Sequence, residues 1–351
     1  MPRFFPDTLR GFGYRLFVAA GCSADDATVV VDHLVEAALM GHDSHGIIRF
    51  YEYLRQIRSG VFSPAAAPFV VRDAPCAALV DGGGAMGQVG GALAARLAIE
   101  KARLHGVGVV TLKNCSHLGR IGAYPQAAAR AGMLGLAFVN AGRLGYQIAP
   151  FGGIDGRLST NPIAFAAPRR DTDPILVDLT ASVVAEGKLR VAINQGKSVP
   201  EGWIIDHEGR PTTDPRAFKG DPPGAILPLG GVAAHKGYSL GFMVELLAGA
   251  LSGQGTARGE TIMRSNGLLF MVYDIEFFTE LATFYDEVEG LLAHLRTSRL
   301  APGFAEILAP GEPEFRTARH RAAAGIDVDD ATWANVIEEA TRIRVTVPDS
   351  L

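Results

Sequence analysis

One short stretch restricts the folds open to this chain more than any other. Asp81-Gly82-Gly83-Gly84-Ala85-Met86-Gly87 stands between residues 76–80, a short apolar run that reads as a strand, and residues 88–105, an Ala-rich run that reads as a helix. Strand, G-x-G-x-x-G and helix in that order suggest a dinucleotide fold, in which the next strand should end on an acid that meets the adenosine ribose. That strand, 107–112, runs into Lys113 and Asn114, with no acid. The ordinary alternative is a glycine-rich turn that needs positive φ. A Rossmann domain is therefore not expected, although strands and helices still have to share one core.

The rest of the pattern agrees with a mixed fold. Residues 8–60 look helical: Ser23 and Asp26 can cap a helix through VVVDHLVEAALM, which Gly41 ends, and a second helix covers about 47–59 with Gly60 as its stop. A Pro- and Ala-rich linker occupies 63–68. Helices are predicted at 125–131, 237–251 and 327–344, and strands at 135–139, 163–166, 175–177 and 268–273. Residues 196–225 are rich in Pro, Gly and Asp and read as turns. The fold class is α/β (α+β).

Charge and cysteine usage exclude several functions. The 33 basic and 37 acidic residues give a net charge of −4 with no basic tract, which argues against nucleic acid as a partner. Cys22, Cys76 and Cys115 are odd in number and spaced for neither a zinc module nor a disulfide framework, so a cytoplasmic setting is expected. LFVAAGC at 16–22 faintly resembles a lipoprotein signal, but the apolar run is short, Asp7 precedes it and Asp25 and Asp26 follow. No other uncharged apolar run reaches membrane-spanning length, so no membrane partner is expected.

The link between the first two helices, MGHDSHGIIR (40–49), concentrates polar chemistry. A nucleophile elbow needs Gly two positions before the serine, where His42 stands. His42 and His45 could share a helical face, yet H-E-x-x-H is absent and no third ligand is at hand, so no metal is assigned. Residues 230–237 resemble a P-loop only loosely, since no Gly precedes Lys236 and no Ser or Thr follows it.

Taken in order, GHDSHGIIR (41–49), NCSHLGRIG (114–122), APFGG (149–153), STNPIAFAAPR (159–169), VDLTAS (177–182), HKGYSLGFMVELLAGALSG (235–253) and LAPGEPE (308–314) resemble the malate/L-lactate dehydrogenase family of the second, non-Rossmann type. That family includes ureidoglycolate dehydrogenase, hydroxycarboxylate dehydrogenase and Δ1-piperideine-2-carboxylate reductase. The resemblance implies an NAD(P)H-dependent reductase of a small 2-oxo or cyclic 2-imino acid, with NAD slightly preferred to NADP, acting as a homodimer. It implies a family-specific NAD(P)-binding domain with a large mixed sheet over 71–304, and a helical substrate and dimerisation domain from 1–70 with 305–351.

Reducing a 2-oxo acid needs an aimed hydride, a proton for the developing alkoxide and a cation for the carboxylate. Arg49 suits the clamp because its planar fork matches a carboxylate, although a solvated helix arginine is the ordinary alternative. His45 suits the acid, since an imidazole can hold a proton near neutral pH and release it. Ser44 and Asp178 resemble the family's relay partners. A carboxylate at Asp178 would hold the imidazolium and raise its pKa, or Asp178 could simply be a helix N-cap. His117 is the rival acid, placed by resemblance beside substrate and nicotinamide. Cys115 is taken as structural.

By the same resemblance Thr160 lies at the substrate. The cofactor contacts are then His117, Leu118, Gly119, Leu176, Val177, Asp178, Leu179, Thr180, His235, Lys236, Gly237, Pro310, Gly311 and Glu312, with Asn140 for the nicotinamide carboxamide. Lys236, near a helix start, suits phosphate. A Ser-His hydrolase built on Ser44 and a nucleotide-binding protein without catalysis are the competing readings.

Overall fold

The computed structural model describes residues 1–259 and 265–351. In chain order it contains β1 (Arg3–Phe4), α1 (Pro6–Ala19), α2 (Ala24–Leu39), α3 (Ile48–Arg58), β2 (Phe69–Asp73), β3 (Ala77–Asp81), α4 (Gly87–His105), β4 (Val107–Cys115), α5 (Ala123–Arg130), β5 (Met133–Asn140), β6 (Pro162–Ala167), β7 (Ile175–Thr180) and α6 (Glu186–Asn194). There follow β8 (Ile204–Ile205), β9 (Pro211–Thr212), β10 (Ala225–Ile226), α7 (Ala234–Val244), β11 (Asn266–Asp274), α8 (Leu281–Arg296), α9 (Glu312–Ala324), β12 (Ile326–Asp327) and α10 (Asp330–Arg342).

The main sheet has the order β2-β3-β4-β11-β5-β6-β7. Only β3 and β4 pair in parallel, across the α4 crossover, and every other pair in it is antiparallel. This is the physical reason the fingerprint fails. A doubly wound dinucleotide fold needs a run of parallel strands, and here the glycine-rich turn serves one βαβ unit in a mainly antiparallel sheet. Ala94, Ala98 and Ala102 of α4 lie against Val110, Leu112 and Val272 on one face. On the other face Val244 and Ala248 pack against Phe138 and Leu269.

A separate apolar cluster unites the two chain ends. Phe12 and Leu16 of α1, Val30 and Leu34 of α2 and Phe50 of α3 share it with Trp333 and Val336 of α10. Phe4 lies 4.3 Å from Trp333, ring centroid to centroid, and β1 pairs with β12. Burying a side chain such as Phe50 stabilises by about 1.5–3 kcal/mol.

The capping expected for α2 is made, with Ser23 Oγ accepting the Asp26 N–H at 3.1 Å. Two expectations need correction. The helix predicted at 237–251 becomes α7 followed by a π-helical turn, Glu245–Ala250, because Glu245 is drawn inward to a buried polar cluster. The stretch 196–225 carries a small sheet, β10-β8-β9, rather than turns alone. β2, α6, α8 and α9 carried no individual signal. β2 is exposed along its whole length, so its Phe69-Val70-Val71 has no in–out alternation.

Candidate active site

Between α2 and α3 the chain makes one short 3₁₀ turn, Asp43–His45. It sets Ser44 Oγ 3.0 Å from His45 Nδ1. Arg49, in the first turn of α3, reaches back: its Nε donates to the Ser44 carbonyl at 2.8 Å and its Nη1 to Glu52 Oε2 at 2.5 Å. The other Glu52 oxygen accepts from Arg190 of α6 at 2.9 Å. Among the described residues Arg49 Nη2 makes no hydrogen bond, which leaves it a donor to spare.

His117 enters from the loop after β4. Its ring stacks on that of His45, centroids 5.4 Å apart and planes inclined by 25°. Its Nδ1 is 2.7 Å from Tyr53 Oη. Burial pushes both imidazoles well below the ordinary histidine range, and the Arg49 charge pushes them further the same way. The structure therefore brings Ser44, His45, Arg49 and His117 together, in surroundings that favour the neutral form of both rings.

Asp178 makes a different contact. It lies in β7, so it caps no helix, and its Oδ2 accepts the Gly122 N–H at 2.8 Å. Burial pushes its pKa up to about 6, against the opposing charge of Arg120. Among the described residues it forms no hydrogen bond with His45 or Ser44.

Arg120 itself was not anticipated. It is buried, with its backbone N–H on His33 Nε2 at 2.9 Å and Nη2 on Gln126 at 2.8 Å, while Nε, Nη1 and the nearby His42 Nε2 lack partners among the described residues. Nothing in the residue type signals such burial. Tyr53 could have been found, because it sits one helical turn beyond Arg49.

The remaining candidates divide into two groups. β7 is the outermost strand, and its Leu176 N–H donates outward to the Pro310 carbonyl at 3.0 Å. With a strand period of two, Asp178 and Thr180 turn their N–H and C=O outward as well, whereas Val177 and Leu179 turn theirs toward β6. Gly311, at φ +89°, presses on this strand, since a Cβ there would come within 2.7 Å of Leu176 Cβ. The start of α7 joins the same edge, because Leu229 N–H donates to the Ala181 carbonyl at 2.9 Å and Gly237 packs on Leu229. His235 and Lys236 are exposed there. Thr160 is adjacent, its carbonyl accepting the Ala181 N–H at 3.0 Å. An open strand edge for planar amides next to a helix N-terminus for phosphate is a donor set that fits a dinucleotide.

Four candidates do not join that edge. Gly119, at φ +77°, packs against His33 and Gln88 instead. Leu118 is fully buried, and both its backbone groups are taken by Asn266 and Tyr124. The Asn140 amide is fully buried too: Nδ2 donates to Glu245 at 3.1 Å and to the Gly255 carbonyl at 2.9 Å, and Oδ1 accepts the Gly267 N–H at 3.3 Å. It is committed to the protein and not offered to a carboxamide. Glu312 is bound to Ala309 N–H, Arg296 and Arg316.

Residues 4–337 match the family model for malate/L-lactate dehydrogenase. Malate dehydrogenase of Pyrococcus horikoshii is 39% identical over 96% of this chain and 93% of its own. A putative malate/lactate dehydrogenase structure from E. coli superposes with a TM-score of 0.92 at 36% identity, covering 98% of this chain and 96% of that one. The chain belongs to the malate/L-lactate dehydrogenase family. A Δ1-piperideine-2-carboxylate reductase structure from Pseudomonas syringae pvar. tomato, at 30% identity and a TM-score of 0.84, covers 97% of this chain and all of that one, 100%.

Like the other dehydrogenases of the family, the protein is an oxidoreductase, and the family uses nicotinamide cofactors. The hydrolase reading falls with this assignment, and the Ser44 contact agrees, since it occupies the Nδ1 that a triad would turn to its carboxylate. Cys115 is buried, which pushes its thiol up to about 12 and leaves it no nucleophilic role.

Proposed function

We propose that this dehydrogenase interconverts a small 2-oxo acid and its 2-hydroxy acid, with Arg49 as carboxylate clamp and His45 as proton donor. The observation that carries the reading is the meeting of one partly free guanidinium with two stacked imidazoles. Arg49 holds the substrate carboxylate through its spare Nη2 donor, Glu52 and the Ser44 carbonyl fixing its orientation. The 2-oxo oxygen is thereby turned toward the imidazoles. The β7 edge, Pro310, Gly311 and the start of α7 would hold NADH or NADPH, which would supply the hydride.

Burial, and after it the Arg49 charge, disfavours a proton on His45; a bound carboxylate would offset the second of these and so favour proton uptake by His45 as the substrate enters. Its Nδ1–H then donates to Ser44 Oγ, and Nε2–H goes to the alkoxide. NAD is preferred slightly over NADP.

A cyclic 2-imino acid is the second reading. Neutral resting imidazoles favour it, because an iminium carries its own proton and leaves a neutral amine after hydride addition. The likeness to the piperideine-2-carboxylate reductase fits it as well.

Three further assignments belong to the same proposal. Residues 1–70 with 305–351 form the helical substrate and dimerisation domain and 71–304 the cofactor domain, supported by the apolar cluster shared by both chain ends. A homodimer is supported by the exposed Phe242, Met243, Leu246 and Leu251 along α7 and the turn after it. Three free cysteines support a reducing cytoplasm. Among the described residues, no helix is long and apolar enough to cross a membrane.

The test is oxidation of NADH and NADPH with pyruvate, oxaloacetate, phenylpyruvate and piperideine-2-carboxylate. Turnover of a 2-oxo acid supports the first reading, turnover of the cyclic imine alone the second. No turnover of any with either cofactor overturns both.

A further inference from the structure

The glycine-rich turn 82–87 has a different task from phosphate binding. Its backbone is laced to the loop after β4. Gly82 N–H donates to the Lys113 carbonyl and Gly84 N–H to the Asn114 carbonyl, each at 2.8 Å. Ser116 N–H donates to the Ala85 carbonyl at 3.0 Å, and Gly87 N–H to Ser116 Oγ at 2.8 Å. The approach is so close that a Cβ on Gly87 would lie 2.3 Å from the His117 carbonyl oxygen. The residue that follows, Gln88, is 1% exposed. Its Nε2 donates to the His117 carbonyl at 3.2 Å and to Tyr53 Oη at 3.0 Å. Tyr53 Oη in turn is 2.7 Å from His117 Nδ1.

The direction of each hydrogen bond in this chain follows from what each atom can do. A carbonyl oxygen can only accept, so the Gln88 amide must turn its nitrogen, not its oxygen, to His117. The second hydrogen of that nitrogen goes to Tyr53 Oη. Tyr53 is fully buried, and among the described residues its hydroxyl meets only Gln88 and His117. A buried hydroxyl hydrogen without an acceptor is costly. The one acceptor available is His117 Nδ1. A neutral ring with Nδ1 accepting must carry its proton on Nε2.

We propose that Gln88 is a positioning residue: through Tyr53 it locks His117 in the Nε2–H tautomer, making His117 a fixed hydrogen-bond donor to the substrate oxygen rather than a base or proton carrier. This rests on the placement of His117 at the substrate given above. Burial pushes the Tyr53 phenol up to about 12, so the hydroxyl keeps its proton and the tautomer does not relax by ionisation. His45 has no such lock, because Ser44 Oγ can either donate to Nδ1 or accept from it. The two stacked rings therefore hold different offices, and the loose one moves the proton.

The test uses full-length protein with ¹⁵N-labelled histidine, read by long-range ¹H–¹⁵N correlation at pH 7.5, beside steady-state kinetics. In the wild type, the His117 signals should show a protonated Nε2 and a bare Nδ1. Gln88→Met removes the donor at similar length, and Tyr53→Phe removes the hydroxyl. Each should move His117 toward a mixture of tautomers and lower kcat by about tenfold or more, short of the ~10²–10³ that outright loss of an oxyanion donor costs. NADH affinity should stay within about twofold, as an order-of-magnitude bound for groups remote from the β7 edge.

A protonated Nδ1 in the wild type overturns the proposal, as does an unchanged tautomer in both variants. If Gln88→Met does not fold, the wild-type spectrum and Tyr53→Phe decide. A tautomer that shifts as described in a protein that turns over no 2-oxo or 2-imino acid leaves the lock standing and removes the proposed function.

Discussion

The imidazoles of His45 and His117 lie face to face, 5.4 Å between ring centroids, and the same Arg49 charge acts on both. Burial first, and then the Arg49 charge, disfavours a cation on either ring, and an arriving anion would offset the Arg49 share. Binding of oxamate, a non-reactive 2-oxo acid mimic, to the cofactor-loaded enzyme is expected to take up close to one proton per site at pH 7. Calorimetry in buffers of different ionisation enthalpy measures this directly. An enthalpy independent of buffer would mean that the pair does not titrate on binding.

Arg49→Ala is expected to raise KM for a 2-oxo acid by roughly 10–100-fold, the cost of a charge-assisted pair of about 1.5–3 kcal/mol. The fold should survive, because Glu52 keeps Arg190 at 2.9 Å as its partner. Arg49→Lys should recover only part of the loss, since an ammonium cannot hold the Ser44 carbonyl and Glu52 and still present a donor in the guanidinium's fixed geometry. NADH binding, followed by fluorescence, should be unmoved. An unchanged KM would remove Arg49 from the site.

Much of this site was readable before any coordinates, and the limits are instructive. Arg49 and His45 follow from local spacing, because both sit at one helix start where the chain cannot separate them far. Ser23 and Gly41 mark the ends of α2 through cap chemistry that is local too. What the sequence hides is long-range. The turn 82–87 has the right glycines for a fingerprint; the missing acid after Leu112 counts against it in the sequence, and the antiparallel pairing of β11 with β4 and β5 supplies the physical reason. Asp178 reads as a relay carboxylate, yet β7 aims it at Gly122. Gln88 is one polar residue at the start of an Ala-rich helix, and its meaning appears only when Tyr53 and His117 arrive from segments 35 and 29 residues away.

Asn140 separates a structural role from a cofactor role. Its side chain bridges β5, the buried Glu245 and the Gly267 N–H of β11. Asn140→Ala leaves those groups unpaired and is expected to cost on the order of 1–3 kcal/mol in unfolding free energy. NADH affinity of the folded fraction should match the wild type. Urea unfolding together with fluorescence titration checks both. Weakened NADH binding at full stability would restore Asn140 to the cofactor site.

Acid should destabilise the protein through its buried imidazoles. Burial first, and then the Arg120 charge, holds His33 down to about 3 and His42 to about 4. An unfolded histidine titrates near 6.5. Below that pH the unfolded chain binds protons that the folded chain refuses, so stability falls as pH falls from about 6.5 toward those folded values. His45 and His117 add to the slope. Asp178 opposes it, because a carboxyl raised to about 6 takes its proton in the folded state first. His33→Gln keeps an acceptor for the Arg120 N–H but has nothing to titrate. Its stability should therefore decline less steeply below pH 6.5, by about 1.4 kcal/mol per pH unit, the value of one proton. Urea unfolding from pH 7.5 to 5 reads the slope, and equal slopes for the two proteins would show that His33 is protonated in the fold.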